Sequence, residues 1–173
     1  MSLATSRFLA IVICLTSTAA PARAVASDQA FASSTDDVVT IRRCLDGNDE
    51  RAMTCIGQIA DGCLAKARHE QPWMARMNCW SRENHAWEQL LNNKYKELAS
   101  KAKLQDTATG PYLERNSYEM LEDSQQKWLV FRDAELGRFW AMRAPASASW
   151  RAADLERVRL RLTVDRFVEL SME

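Results

Sequence analysis

Residues Cys79–Tyr95 read CWSRENHAWEQLLNNKY, and this stretch decides the fold. Its large residues recur at the 3.6-residue period of an α-helix, and no glycine or proline interrupts them. The same period continues on both sides and predicts a helix over about residues 73–103. The stripe that should face the core comprises Trp73, Met77, Trp80, Asn84, Trp87, Leu91, Tyr95 and Leu98.

The rest of the chain shows the same helical period and no strand-like alternation. Gly110-Pro111 separates two periodic segments and Pro145 follows another, as expected at helix boundaries. Further helices are predicted over about residues 37–46, 51–67, 112–143 and 148–171. We therefore expect an all-α fold, a small bundle built on an antiparallel hairpin of the two long helices and completed by the last helix.

The N-terminal residues have the composition of a secretory signal peptide. Arg7 supplies the positive region, and the apolar run Phe8–Leu15 is too short for a permanent membrane helix. Small residues permit cleavage after Ala24 or, almost as well, after Ala26. We expect a periplasmic or secreted monomer without stable membrane insertion after cleavage. The predicted organisation is a signal peptide over 1–24, a flexible lead-in over 25–35 and one helical domain over 36–173.

Charge and motifs exclude several function classes. The chain carries 23 basic and 23 acidic side chains, which gives no argument for binding nucleic acid or an anionic membrane. It has no phosphate-binding glycine loop, no nucleophile elbow and no zinc-protease motif. His69 and His85 lack metal-ligand spacing with the cysteines. We expect no enzyme, no cofactor and no metal.

The cysteines predict a disulfide-stapled domain. Beyond Cys14, in the signal peptide, the chain has Cys44, Cys55, Cys63 and Cys79, and an even set in an exported protein indicates two disulfides. If Cys55 and Cys63 share one helix, their Cα atoms lie about 12 Å apart, beyond the roughly 7 Å limit for a bridge. The sequential pairing Cys44–Cys55 with Cys63–Cys79 is preferred, and Cys44–Cys63 with Cys55–Cys79 stays open.

Polar residues interrupt the apolar stripes of the two long helices. Asn84 stands on the first stripe, and Gln125 and Arg132 stand on the second. Polar groups on a core face are costly unless they bond to each other, so cross-helix hydrogen bonds are expected. Arg132 could reach the carboxylate of Glu83 or Glu88. Such groups either fix the helix register or line a polar pocket.

Most of the six tryptophans are expected in the core, because each buries a large apolar area. Trp73 and Trp150 are the members expected to be exposed. An exposed aromatic platform for a sugar or a peptide is the alternative interpretation.

Two motifs stand on the long helices. The first is Cys79-x₃-Glu83-x₃-Trp87-Glu88-x₂-Leu91-Asn92-x₂-Tyr95, and the second is Leu121-x₃-Gln125-x₂-Trp128-x₃-Arg132-Asp133-Ala134. Together they resemble the LprI-like family of small exported bacterial helical proteins. The resemblance extends over roughly residues 40–170. It departs from the family at Glu88, where aspartate is usual, and at Glu135 and Leu160, which occupy positions of an additional cysteine pair.

The resemblance implies a function that no catalytic or binding motif in the sequence indicates. The family is named for a member described as a lysozyme inhibitor, so the implied partner is a lysozyme-type glycoside hydrolase whose cleft the protein occupies. The alternative is a structural or stress-related envelope protein that binds a peptide, a cell-wall fragment or another protein. The motif residues expected to form a structural network are Glu83, Trp87, Asn92, Tyr95, Gln125, Trp128, Arg132 and Asp133.

Overall fold

The computed structural model describes residues 34–67, 71–109, 116–144 and 146–173. Its elements are α1 (Thr35–Leu45), a 3₁₀ helix (Asp49–Cys55), α2 (Ala60–Leu64), α3 (Pro72–Thr109), α4 (Ser117–Met142) and α5 (Ala148–Ser171). These described ranges contain no strand, so the predicted all-α fold is confirmed. The predicted signal peptide lies outside the described residues. The predicted lead-in does so up to residue 33, and its last residue already begins α1.

Helices α3, α4 and α5 form the bundle. The Asp106 carboxylate near the end of α3 accepts hydrogen bonds from the backbone N–H groups of Ser117 and Tyr118 at 2.8 and 2.9 Å, so it caps the start of α4. Helix α4 therefore runs antiparallel to α3, as the predicted hairpin requires. Helix α5 runs parallel to α3, because Arg76 lies 3.6 Å from Asp154 near the start of both helices and Trp87 contacts Phe167 further along both.

The more extensive interface in the bundle joins α3 to α5, although the sequence suggested the α3–α4 hairpin as its foundation. Helix α4 buries only Leu121 and Leu136 among its described side chains. Helix α5 presents a continuous buried face that comprises Ala153, Leu160, Thr163, Val164, Arg166, Phe167 and Leu170. Because apolar burial drives helix packing, α5 is firmly attached and α4 is peripheral.

The centre of the core is Trp87, which is fully buried and meets the Phe167 ring edge to face, with ring centroids 5.5 Å apart. The other tryptophans differ from one another. Trp150 is exposed, as expected, whereas Trp73 is only half-buried, so that expectation was wrong. Trp140 is also exposed, because the outer part of α4 has no helix packed over it.

Two disulfides fasten the N-terminal elements to each other and to α3. The Cys44–Cys55 bridge joins α1 to the 3₁₀ helix with an S–S distance of 2.06 Å. The Cys63–Cys79 bridge joins α2 to α3 with an S–S distance of 1.98 Å. An ion pair adds to this attachment, because Arg82 donates from Nε and Nη2 to the Asp37 carboxylate at 2.8 Å each.

The single helix expected over residues 51–67 is wrong. The chain forms the 3₁₀ helix, a turn over 56–59 and then α2. Gly57 has φ of 101°, a conformation that favours glycine. Cys55 and Cys63 therefore do not share a helix, and the distance argument against bridging them does not apply.

Candidate functional site

A groove lies between α3 and α4, with a volume of about 420 Å³. It follows from the weak packing of α4, whose side chains towards α3 are mostly polar and half-buried. We call it the α3–α4 groove. Its lining residues are Glu88, Leu91, Asn92, Tyr95, Glu122, Gln125, Gln126, Trp128, Leu129 and Arg132.

Most of the sequence-predicted motif residues meet in this groove. The motif members in its lining are Asn92, Tyr95, Gln125, Trp128 and Arg132. Asn92 is exposed at the rim, and the others are half-buried. Glu83 and Trp87 lie in the core instead, and the exposed Asp133 carboxylate lies 3.5 Å from the Arg132 Nε. The motif therefore combines a groove lining with a buried structural part.

Glu83 is a buried anchor for the N-terminal segment. Its carboxylate accepts hydrogen bonds from the backbone N–H groups of Gly57, Ile59 and Ala60 at 2.6, 3.0 and 2.7 Å. Burial raises the pKa of Glu83 above its ordinary value, and the three N–H bonds only partly oppose this effect. The expected alternative of a Glu83–Arg132 pair is therefore wrong, because this carboxylate faces the turn before α2.

A polar chain connects the core to the groove. The Thr163 hydroxyl on α5 donates to the Asn84 Oδ1 at 3.1 Å, and the Asn84 Nδ2 donates to the Glu88 Oε1 at 3.3 Å. That same Glu88 oxygen lies 3.6 Å from the Arg132 Nη1 on α4. The Arg132 guanidinium carbon lies 5.1 Å from the centroid of the Trp128 ring. The cross-helix hydrogen bond in this chain of contacts joins α3 to α5, and α3 and α4 are joined by the Glu88–Arg132 ion pair.

Arg166 on α5 holds the other side of the groove wall, and sequence reasoning did not single it out as a site residue. It is buried, and its Nε donates to the Gln125 Oε1 at 3.1 Å. Its Nη2 donates to the Ser124 hydroxyl at 2.9 Å, and its Nη1 to Glu169 at 3.0 Å. The available signal was an arginine at helical spacing from Thr163 and Leu170 on the core face.

Burial also changes the acid–base properties of side chains near the groove. Burial raises the pKa of Tyr95 above its ordinary value, and the nearby Glu122 adds to the increase. Burial likewise raises the pKa of Glu156 on α5, and the charge of Glu88 adds to it. Within the described ranges, no group of three or more His, Cys, Asp or Glu side chains could hold a metal ion.

The outer surface of α4 beside the groove carries an apolar patch. It consists of the consecutive residues Leu129, Val130 and Phe131, which are 39%, 73% and 52% exposed. Successive helix residues point about 100° apart, so these three side chains spread around the exposed side of α4. Exposed apolar patches of this kind commonly mark protein contact surfaces.

A family model described as "Lysozyme inhibitor LprI" matches residues 63–170. This range begins at Cys63 and covers α3, α4 and nearly all of α5, together with the groove and the α4 patch. Residues 40–62, which the sequence resemblance included, lie outside it. No curated protein and no solved structure matches the chain.

Proposed function

Because the chain belongs to the LprI family of lysozyme inhibitors, we propose that it inhibits a lysozyme-type glycoside hydrolase by occupying the enzyme's cleft. The family match is the observation that carries this proposal. Occlusion needs a rigid surface and no chemistry in the inhibitor. Two disulfides and the buried Trp87 core make the rest of the bundle rigid, and Arg166 holds α4 to it through hydrogen bonds to Gln125 and Ser124.

The contact surface in this proposal is the α4 patch. Val130 and Phe131 are exposed beside polar groups, which is the arrangement of an apolar anchor with a polar rim. Burying such anchors against a partner releases water from apolar surface and stabilises the complex. Leu129 belongs to both the patch and the groove lining, so Val130 and Phe131 are the residues that distinguish the patch.

Export of the protein is part of the same proposal. Lysozyme acts on the cell wall, and the N-terminal residues have the signal-peptide pattern with cleavage after Ala24 or Ala26. The two disulfides fit an oxidising compartment outside the cytoplasm. No helix in the described part of the chain is long and apolar enough to cross a bilayer.

A lytic assay tests the proposal. The mature, oxidised protein is titrated against several lysozyme types with bacterial cell walls as substrate, and we expect saturating inhibition of at least one type. The double variant Val130→Ala, Phe131→Ala should raise the concentration for half-inhibition about tenfold or more, because each truncated anchor weakens binding. Leu104→Ala is the matched control, since Leu104 is a 73% exposed apolar residue on α3. Full lytic activity of every lysozyme at large molar excess would reject the proposal.

A further inference from the structure

The α3–α4 groove has the size of a small-molecule site. Its volume of about 420 Å³ falls within the range of roughly 300–1,000 Å³ that is typical of such sites. A concave groove does not fill an enzyme cleft. Occlusion of a cleft by Val130 and Phe131 therefore gives the α3–α4 groove no role. We propose that the α3–α4 groove binds an uncharged acetamido sugar presented by an oligosaccharide. This proposal does not rest on lysozyme inhibition.

The hydrogen-bonding groups of the groove match those of an acetamido sugar. Its lining includes the carboxamides of Asn92, Gln125 and Gln126. Each carboxamide has a C=O acceptor and N–H donors, and an acetamido group has one N–H donor and one C=O acceptor. A secondary amide is trans, so the acetamido N–H and C=O point in opposite directions, and one carboxamide oxygen can accept from the N–H while another carboxamide NH₂ donates to the C=O. Glu88 and Glu122 provide further acceptors for sugar hydroxyl groups.

Two aromatic rings supply the apolar part of the same groove. Trp128 and Tyr95 are half-buried in its lining. A pyranose ring has an apolar C–H face and polar edges, so it packs on a flat ring while its hydroxyl groups reach neighbouring polar side chains. A lining of aromatic rings with a few convergent polar groups suits a ligand of this kind.

The composition of the groove disfavours other ligand classes. Glu88 and Glu122 stand against one cation, Arg132, so the lining does not attract phosphates or polyanions. Bound peptides commonly add to a sheet edge or lay an apolar helix face in an apolar groove. The described part of the chain has no strand, and Leu91 and Leu129 are the only aliphatic residues in the lining.

The groove walls are positioned by bonds inside the protein. Asn84 holds Glu88 at 3.3 Å, and Arg166 donates to the Gln125 Oε1 at 3.1 Å. The Gln125 carbonyl oxygen is thus engaged, and its NH₂ group is the donor towards the groove. Side chains that are ordered before binding lose less conformational entropy on binding.

Isothermal titration calorimetry of the mature, oxidised protein tests this proposal. The probe is the β-1,4-linked tetramer of N-acetylglucosamine, and the matched control ligand is cellotetraose, which has hydroxyl groups in place of the acetamido groups. We expect saturable binding of the first and about tenfold or weaker binding of the second. No saturable binding of the acetamido tetramer at millimolar concentration, or equal affinity for both tetramers, would overturn the proposal.

Two rim variants assign the binding to the groove. Asn92 and Gln126 are exposed, so Asn92→Ala and Gln126→Ala should fold normally. Each substitution should raise the dissociation constant for the sugar by up to about tenfold, because it removes one hydrogen bond. Asn93→Ala is the matched control, because Asn93 is an exposed neighbour of the same type outside the groove lining. Unchanged affinity in both rim variants would refute the groove as the site.

The sugar test and the inhibition test fail independently. The double variant Val130→Ala, Phe131→Ala should bind the acetamido tetramer with wild-type affinity, since neither residue lines the groove. If the protein binds the sugar but inhibits no lysozyme, the sugar-binding proposal stands and only the inhibition proposal is rejected. Loss of sugar binding in the double variant would contradict it.

Discussion

The Glu83 carboxylate accepts a hydrogen bond from the backbone N–H of Gly57 at 2.6 Å, across 26 positions of sequence. The other carboxylate oxygen accepts from Ile59 and Ala60. One buried side chain on α3 thus satisfies the backbone of the turn that the two disulfides flank. The turn and α2 depend on Glu83 for their conformation.

Replacing Glu83 should destabilise the protein. In Glu83→Gln, one carboxylate oxygen becomes an NH₂ donor that faces a backbone N–H, so we expect a loss of about 1–3 kcal/mol in the free energy of unfolding. Urea denaturation followed by tryptophan fluorescence measures it. Glu97→Gln is the matched control on the exposed surface of α3 and should stay within about 0.5 kcal/mol. Equal effects of the two substitutions would contradict the anchoring role.

Glu83 and Asp37 should affect the pH dependence of stability in opposite directions. Burial raises the pKa of Glu83 above 4.5, so its stabilising contribution is present below pH 4.5 and is lost as pH rises through the raised pKa. Burial also raises the pKa of Asp37, but hydrogen bonds from Arg82 and Ser34 outweigh burial and leave that pKa below 3.8. The Asp37 contribution is therefore present above pH 3.8 and is lost as pH falls through the lowered pKa.

Two variants separate these contributions. Relative to wild type, Glu83→Gln should remove part of the stability loss above pH 4.5. Asp37→Asn should instead remove part of the loss below pH 3.8. Unfolding free energies measured from pH 2.5 to 8 give both profiles. Changes of the same sign in the two variants would contradict the assignments.

The helices were predictable from the sequence because the apolar period is a local property. The last predicted helix, 148–171, has the bounds of α5. The prediction of one helix over residues 51–67 was wrong because the conformation of this segment depends on Glu83, which lies far along the chain. For the groove, the sequence predicted only the residues, which are polar groups on the apolar stripes of two neighbouring helices. Its completion by Arg166 depends on a contact with Gln125 across 41 positions, which no local pattern reports.

The disulfides should be needed for stability. Removing the Cys63–Cys79 bridge by double serine substitution should cost about 3 kcal/mol, since the loop that it closes spans 16 positions. The Cys44–Cys55 bridge closes a shorter loop of 11 positions and should contribute slightly less. Peptide mapping without reductant should recover these same pairs. A Cys44–Cys63 peptide or four free thiols would contradict the pairing.

Arg166 should control the attachment of α4. Arg166→Met keeps much of the side-chain volume but removes the hydrogen bonds to Gln125 and Ser124. Because α4 buries few apolar side chains, its backbone amides should exchange with deuterium about tenfold faster or more, while amides around Trp87 on α3 keep their protection. Uniformly faster exchange would indicate global destabilisation and contradict this role.

The most direct test of the central claim is the kinetic pattern of lysozyme inhibition. A lysozyme type that the protein inhibits is assayed with a soluble oligosaccharide substrate at several substrate and inhibitor concentrations. Occlusion of the cleft predicts that the apparent KM rises linearly with inhibitor concentration from its uninhibited value and that kcat stays unchanged. A fall in kcat at constant KM, or lysozyme activity that stays complete at every inhibitor concentration, would contradict the proposal.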